Sequence, residues 1–379
     1  MSYRKFEICN CCVMDSSDSA ITFDDNGVCD HCRDFDRYTK ATWHTDSRGA
    51  DALRVTVEQI KEEGKNKEFD CILGLSGGLD SSYMLHMLVT EFELRPLVFH
   101  VDGGWNTDLA VSNIQALVDK LGLDLYTEVI DWEAMRDFQL AFFKSGVSQL
   151  DIPQDHAFVA VLYKFANKHN IKFIMNGGNI STECVRNPLE WLYYGTDMLF
   201  INDIRRRYCS SDLSTYPFSS VFFHKFYLRY IKRVRVIRPL DLIPYSKELA
   251  IRTLSDQYGW RAYPQKHFES RFTKFFEGYW LPTRFGYDTR KVQYSSLILT
   301  GQMSRSQALE FLTTSPFDES TIDDDFDYIA KKLRIPTEEL RHYHSMPRKS
   351  YKDYRNQETL FNAGAKVLKA FGVERSIKR

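Results

Sequence analysis

Asp70-Cys71-Ile72-Leu73-Gly74-Leu75-Ser76-Gly77-Gly78-Leu79-Asp80-Ser81-Ser82 is an apolar run that breaks into small residues and then leads straight into the helical pattern Tyr83-Met84-Leu85-His86-Met87-Leu88. Strand, tight turn and helix start together form a nest of backbone N–H groups at the positive end of a helix, where a pyrophosphate can sit. Gly77 and Gly78 let the main chain approach an anion without a Cβ in the way, and Ser76, Ser81 and Ser82 add hydroxyl donors. No Gly-Lys-Ser/Thr follows Gly74, so the loop is not a Walker A motif, and it lacks the Gly-x-Gly-x-x-Gly of dinucleotide binders. A carboxylate beside a polyphosphate repels it, so Asp80 is read as the residue that holds Mg²⁺ against the phosphates. Asp is also favoured in the first turn of any helix.

Outward from this loop the chain alternates strand and helix. Strands are expected over 94–102, 124–130, 172–176 and 234–240, with helices over 82–91, 107–121, 132–144 and 153–169 between them. Such alternation predicts a doubly wound parallel α/β sheet with ligands at the carboxyl ends of its strands. Three glycine-bearing strand ends, at Ser76, at Asp102-Gly103-Gly104 and at Gly177-Gly178, are expected to meet in one crevice, with His100 and Val101 read into the same nucleotide set. Residues 181–233 interrupt the rhythm with an aromatic and basic insertion, and the chain beyond Tyr263 reads as mixed and then helical, with candidate helices over 304–312, 321–333 and 337–344. The expected division is a zinc-binding segment over 1–48, an α/β domain over 49–262 and a mainly helical region over 263–379, whose last few residues are expected to fray.

The head of the chain carries Cys9-Asn10-Cys11-Cys12 and Cys29-Asp30-His31-Cys32. Two C-x2-C pairs at this spacing, with a hairpin turn at 23–28 between them, predict a structural zinc site on Cys9, Cys12, Cys29 and Cys32, with Cys11 and His31 as substitutes in the ligand set. Four thiolates leave no open position, so the expected zinc is architectural. The N-terminus lacks an apolar h-region, no run reaches membrane-spanning length, and eight cysteines without an export signal favour reduced thiols. A cytoplasmic protein with no membrane contact is the expectation. The formal net charge of −1 argues against a large nucleic-acid footprint.

Three further stretches carry candidate chemistry. Ser246 is a candidate N-cap for a helix that opens on Lys247-Glu248, and a lysine at a helix N-terminus works against the dipole unless an anion is near; the alternative is an exposed surface lysine. Asn176-Gly177-Gly178-Asn179 leads to Glu183, a carboxylate placed to orient an acceptor or to take a proton from an attacking amine, or else part of a solvated loop. His267-Phe268-Glu269-Ser270-Arg271 puts His267 and Arg271 among aromatics, which suits an anionic transition state and equally an amphipathic core helix carrying Phe268, Phe272, Phe275 and Phe276. Arg205-Arg206-Arg207 and the cations of 232–238 are read as a solvated face, with a sugar diphosphate or a nucleic-acid backbone as the alternatives.

The Ser76–Ser81 loop resembles the Ser-Gly-Gly-x-Asp-Ser signature of the PP-loop ATP pyrophosphatases. With the four-cysteine head, Cys12-Val13-Met14-Asp15, Asn176–Asn179, the 267–276 segment and Phe285-Gly286-Tyr287-Asp288, most of the chain resembles the N-acetyl sugar amidotransferases of bacterial O-antigen and flagellin-glycan biosynthesis. The resemblance implies a PP-loop/HUP-like fold and ATP, Mg²⁺ and Zn²⁺. It implies adenylation of the N-acetyl oxygen of a UDP-N-acetyl sugar and replacement by ammonia to give an acetamidino group. Lys247 also matches the lysine that approaches the phosphates in several PP-loop enzymes, although Glu248 follows it directly. Cys71 sits in a strand, and Cys184 and Cys209 lack a nucleophile elbow. The resemblance therefore implies a separate glutaminase subunit, with a cyclase-like channel subunit beside it. The rival reading is a PP-loop tRNA thiolase or related sulfur-transfer enzyme in which Cys184 or Cys209 is catalytic; a nucleotide-binding partner module without catalysis is a third.

Overall fold

The structure is a computed structural model that describes residues 6–370. The expected fraying of the C-terminal residues falls outside that range. Five parallel strands, β1 (Cys71–Gly74), β2 (Pro96–Asp102), β3 (Leu125–Val129), β4 (Phe173–Met175) and β5 (Arg235–Ile237), form one sheet in the order β3-β2-β1-β4-β5. The chain winds outward from β1 in one direction and then from β4 in the other. The switch point therefore lies between β1 and β4, which places the Ser76 loop beside Gly177-Gly178.

Sequence chemistry explains the helices that frame this sheet. Thr107 caps Asp108–Leu121 by accepting from the Ala110 amide, and Gly122 ends it at φ 65°. Asp131 caps Trp132–Ser145, and Gly146 closes it at φ 76°. β1, central in the sheet, is fully buried over Cys71–Leu73, whereas β3 at the edge exposes Tyr126 and Val129.

Two apolar clusters cover the two faces. One packs Leu73, Met84, Leu88 and Val98 with Leu240, Leu254 and Trp260. The other joins Ile72, Leu97 and Phe99 to Phe138, Phe142 and Phe200, and continues without interruption into Phe272, Trp280, Phe326 and Tyr354 of the helical C-terminal region. The charged pairs Arg271–Asp325 and Lys274–Asp325 lie at that junction.

The insertion holds more helix than its composition suggests: Met198–Tyr208 and the wide-turn helix Phe222–Ile231 both lie within 181–233. Wide i→i+5 turns recur at Phe276–Phe285, where Pro282 sits inside the helix. The basic run Arg205–Arg207 ends the first of these helices and offsets its negative end; Arg207 pairs with Asp203 at 2.7 Å, and Arg205 lies over the Phe218 ring.

Candidate active site

The Ser76–Ser82 loop crosses from β1 into helix Leu79–Thr90. Gly77 adopts φ +82°, and a Cβ there would lie 2.8 Å from the Ala110 carbonyl oxygen, so only glycine fits. Its carbonyl accepts from Trp260 Nε1 at 3.2 Å and from the Tyr263 hydroxyl at 3.1 Å, which fixes the turn. The helix N-cap is Gly78, which has no side chain to occupy the first amides. Those amides are the donors an anion needs. Ser76 Oγ donates to Glu269 Oε1 at 3.4 Å and accepts from the Gly78 amide at 3.2 Å.

The centre of the site is a charged trio. Lys266 Nζ reaches Asp80 Oδ2 at 2.9 Å, Glu183 Oε1 at 2.6 Å and Thr182 Oγ1 at 3.3 Å. The Tyr245 hydroxyl donates to the other Asp80 oxygen. Burial pushes the Asp80 carboxyl up, but the Lys266 charge and the Tyr245 hydrogen bond outweigh it and hold the group below its ordinary range. Burial pushes the Lys266 ammonium down, and Asp80 and Glu183 lift it above its ordinary value. Both therefore stay charged across the neutral range.

Lys247 opens helix Lys247–Tyr258, capped by Ser246, whose hydroxyl accepts from the Leu249 amide; the Lys247 amide donates to Gln302 Oε1 at 3.0 Å. Burial and the nearby Lys266 charge depress the Lys247 ammonium below its ordinary value. Glu183 ends the single turn Ile180–Glu183, held by Asn179, which accepts from the Thr182 amide, and by Asp241, which accepts from the Ile180 amide at 2.6 Å.

These groups line a cavity of about 1070 Å³ at the carboxyl ends of β1 and β4. Of the residues expected from sequence, Ser76, Gly78, Asp80, Ser81, Gly177, Gly178, Glu183, Lys247 and His267 face it. The Gly103-Gly104 turn does not join this lining. Gly103 abuts Phe158 and Gly104 abuts Trp132, so two of the three expected glycine turns meet. Gly77 shapes the loop from behind, and Ser82 is wholly buried in the helix below it. His100 is buried, with Nδ1 donating to the Leu75 carbonyl at 2.8 Å; it braces the loop strand, and Val101 stays in β2 beside it. Arg271 points elsewhere: it pairs with Asp325 at 3.2 Å and lies 3.7 Å over the Tyr328 ring, the core-helix alternative.

His267 stands in the lining with φ +66°, a left-handed backbone uncommon for a side chain of this size. The residue is exposed to the cleft. Burial lowers its basicity, while Glu277 and Glu269 raise it, for a net upward shift. Asp155, which is outside the cleft lining, is pushed up to about 6 by the protein around it, with the His267 charge acting against that. Residues that sequence reading missed are Lys266, Tyr245 and Glu269; each comes from a segment remote in sequence from the loop it contacts.

Beside this site stands the cysteine head. The Sγ atoms of Cys9, Cys12, Cys29 and Cys32 lie within 4.8 Å of one another, with Cys9–Cys32 at 3.8 Å and Cys12–Cys29 and Cys29–Cys32 at 3.6 Å. A tetrahedron with zinc–sulfur bonds of about 2.3 Å has edges of about 3.8 Å, so the four thiols fit zinc. Amides of Cys11, Cys12 and Cys29 point at Cys9 Sγ over 3.2–3.4 Å and favour its thiolate. The hairpin is present as the Phe23–Cys29 bridge, and His31 binds Asp18 at 2.9 Å while Cys11 is exposed, so neither enters the cluster. Arg305 donates to the Cys9 and Cys12 carbonyls, and Ser295 accepts from the Val13 amide, tying the head to helices that wall the cleft through Gln293, Tyr294 and Leu297. Cys184 and Cys209 lie outside the cleft lining, and burial pushes each up to about 12.

The parallel sheet, its switch point and the Ser-Gly-Gly turn define a doubly wound α/β protein with a four-cysteine head and a helical C-terminal region. Residues 269–368 match the family model described as LPS biosynthesis protein WbpG-like, C-terminal domain. No curated protein matches the chain. Similar solved structures include an NH3-dependent NAD synthetase from Campylobacter jejuni subsp. jejuni NCTC 11168, at 15% identity and TM-score 0.30 over 79% of this chain and 98% of that one. An NMN synthetase from Francisella tularensis is similar at 14% identity and TM-score 0.30, over 79% and 98% of the two chains. A glutamine-dependent NAD+ synthetase from Acinetobacter baumannii, in complex with ADP, is similar at 12% identity and TM-score 0.31, over 80% of this chain and 47% of that one. Among the described residues no helix is long and apolar enough to cross a membrane.

Proposed function

We propose that the protein is an ATP-dependent amidotransferase that adenylates the N-acetyl oxygen of a nucleotide-linked sugar and replaces it with ammonia, giving an acetamidino group for a bacterial surface glycan. The observation that carries this reading is the convergence of the Ser76–Ser81 loop, Lys247 and the Asp80–Lys266–Glu183 trio in one cavity of about 1070 Å³, larger than a site for a single small ligand usually is. The match of residues 269–368 to a lipopolysaccharide-biosynthesis domain supports the glycan setting.

An amide oxygen is a poor leaving group; as an adenylate it departs readily. The N-acetyl oxygen attacks the α-phosphorus of ATP, and the bond to pyrophosphate breaks. The loop amides, with Ser76 and Ser81, receive the phosphates, and Lys247, at the helix start across the cleft, balances charge on the departing pyrophosphate. Ammonia then adds to the activated carbon, its extra proton passes to the Glu183 carboxylate, and AMP leaves with the former acetyl oxygen. Asp80 and Glu269 flank the loop with carboxylate oxygens that suit Mg²⁺, a Lewis acid that offsets phosphate charge. Asp80 is engaged by Lys266 and Tyr245, and it would hold the metal with its remaining lone pairs while Lys266 stays near enough to serve a phosphate oxygen. Zn²⁺ on Cys9, Cys12, Cys29 and Cys32 is structural. Ammonia comes from a glutaminase subunit, with a cyclase-like subunit as its channel, and the reaction is cytoplasmic. A sulfur-transfer reading is disfavoured by the placement of Cys184 and Cys209.

The test is AMP and pyrophosphate release with ATP, an ammonium salt and a panel of UDP-N-acetyl sugars, with the acetyl oxygen labelled by ¹⁸O. Label recovered in AMP is expected; ADP as product, or AMP formation that needs tRNA and Cys184 or Cys209, overturns the proposal.

A further inference from the structure

Residues 213–240 contain Lys225, Arg229, Lys232, Arg233, Arg235 and Arg238 and no Asp or Glu, in a chain whose formal net charge is −1. Within this stretch, helix Phe222–Ile231 has two faces. Its inner side sends Leu228 into the core, with Phe223 and Tyr227 packed against it. Its outer side leaves Phe222 67%, Phe226 49%, Tyr230 59% and Ile231 60% exposed. The outer rings form one ridge, with Phe222 and Phe226 stacked at 5.1 Å and Phe226 and Tyr230 at 5.6 Å between centroids. Arg229 and Arg233 are exposed along it, and the Arg229 guanidinium lies 5.6 Å from the Tyr230 ring centre.

We propose that this ridge docks the protein on an anionic lipid surface. A helix lying in the plane of a bilayer interface presents aromatic side chains to the acyl boundary and Lys or Arg to the headgroups, the arrangement found here. Arg235 pairs with Glu63 at 2.8 Å and Arg238 with Asp241 at 3.1 Å, so the cations that complement an acidic leaflet are Arg229, Lys232 and Arg233 at the end of the ridge. A second copy of the chain is a poor occupant, because pairing two such ridges sets Arg229 and Arg233 against their own kind. An ammonia-delivering protein is also a poor occupant of the last turn. Lys172 Nζ donates to the Lys232 carbonyl and the Arg235 amide to the Lys172 carbonyl, which puts that turn at the amino edge of the sheet, the end opposite the cleft. The match to a lipopolysaccharide-biosynthesis domain gives such a surface a use, since that product is lipid-anchored. The helix is too short to span a bilayer, so this is contact with a surface, in place of the absence of membrane contact expected from sequence.

The experiment is co-sedimentation of the full chain with phosphatidylcholine vesicles, with and without phosphatidylglycerol, at low and high salt. Binding is expected only to vesicles with phosphatidylglycerol, with release by salt. The double variants Phe226→Ser/Tyr230→Ser and Arg229→Gln/Lys232→Gln are each expected to lower partitioning by roughly thirtyfold with an unchanged thermal midpoint. If the aromatic double variant does not fold, Phe222→Ser, at the exposed first turn, is read instead. Failure to bind the anionic vesicles, or binding that folded variants leave intact, overturns the proposal. So does a change of oligomeric state in the aromatic variant, which assigns the ridge to a second copy.

Discussion

The cysteine head and the Asp80–Lys266–Glu183 trio are both tight clusters of ionisable groups, yet they solve the problem of charge in opposite ways. In the head, four buried sulfurs surround a volume that fits one cation, and backbone amides brace them from outside. In the cleft, the cation is Lys266, a protein side chain shared between two carboxylates and open to the cavity, so it can change partners. A closed set of ligands makes a structural element; a set whose cation can swing away makes room for chemistry.

The strongest way to break this contrast is at the head. Cys12→Ser, or prolonged chelation, is expected to cost the folded head and to loosen the helices it braces, read as a large drop in thermal midpoint together with stoichiometric zinc release in a metal assay. A protein that stays folded and metal-free at the wild-type midpoint contradicts a structural zinc. Next comes Asp80→Ala, expected to lower pyrophosphate release by roughly 10²-fold or more while circular dichroism and melting stay near wild type. Full activity in that variant ends the assignment of Asp80 to metal. Lys247→Met and Lys266→Met separate the two cations. Each is expected to lower turnover by roughly 10²-fold, and Lys266→Met is expected to raise the pKa of Asp80 further than Lys247→Met does, which NMR titration of that carboxyl reads directly.

A smaller effect tests the recess behind the trio. His267 has a pKa raised above 6.5, so its contribution to stability is complete below 6.5 and is lost as pH rises through the shifted value. The difference in thermal midpoint between wild type and His267→Asn, a side chain tolerated at positive φ, is expected to shrink as pH climbs above 6.5. A constant difference removes the charge from the account. The smallest effect is expected from Arg271→Lys, which keeps charge beside Asp325 outside the cleft and should leave turnover within about twofold.

The sheet was legible because apolar runs ending in glycine-rich turns have few other uses, and the loop was legible because Ser76 to Ser81 are contiguous. The trio was half legible. Asp80 and Glu183 were visible as carboxylates near turns, but Lys266 meets Asp80 across 186 positions and Tyr245 across 165, separations at which no local pattern operates. Arg271 illustrates the converse. Its surroundings in sequence suit a site, yet Asp325, on a helix of the C-terminal region, draws it into a structural pair. The helices Phe222–Ile231 and Phe276–Phe285 escaped a search at 3.6 residues per turn because their turns are wider, and Pro282 within the second reads as a breaker.

The contacts of Arg305 with Cys9 and Cys12 bear on the order in which the protein is made. The head leaves the ribosome before the wall it rests on, since the guanidinium that holds it emerges 296 residues after Cys9. Throughout that interval the head lacks this contact, and a metal held by its four thiols would be what keeps it folded. With zinc as that metal, its supply during translation, rather than to the finished protein, would set how many chains complete the cleft.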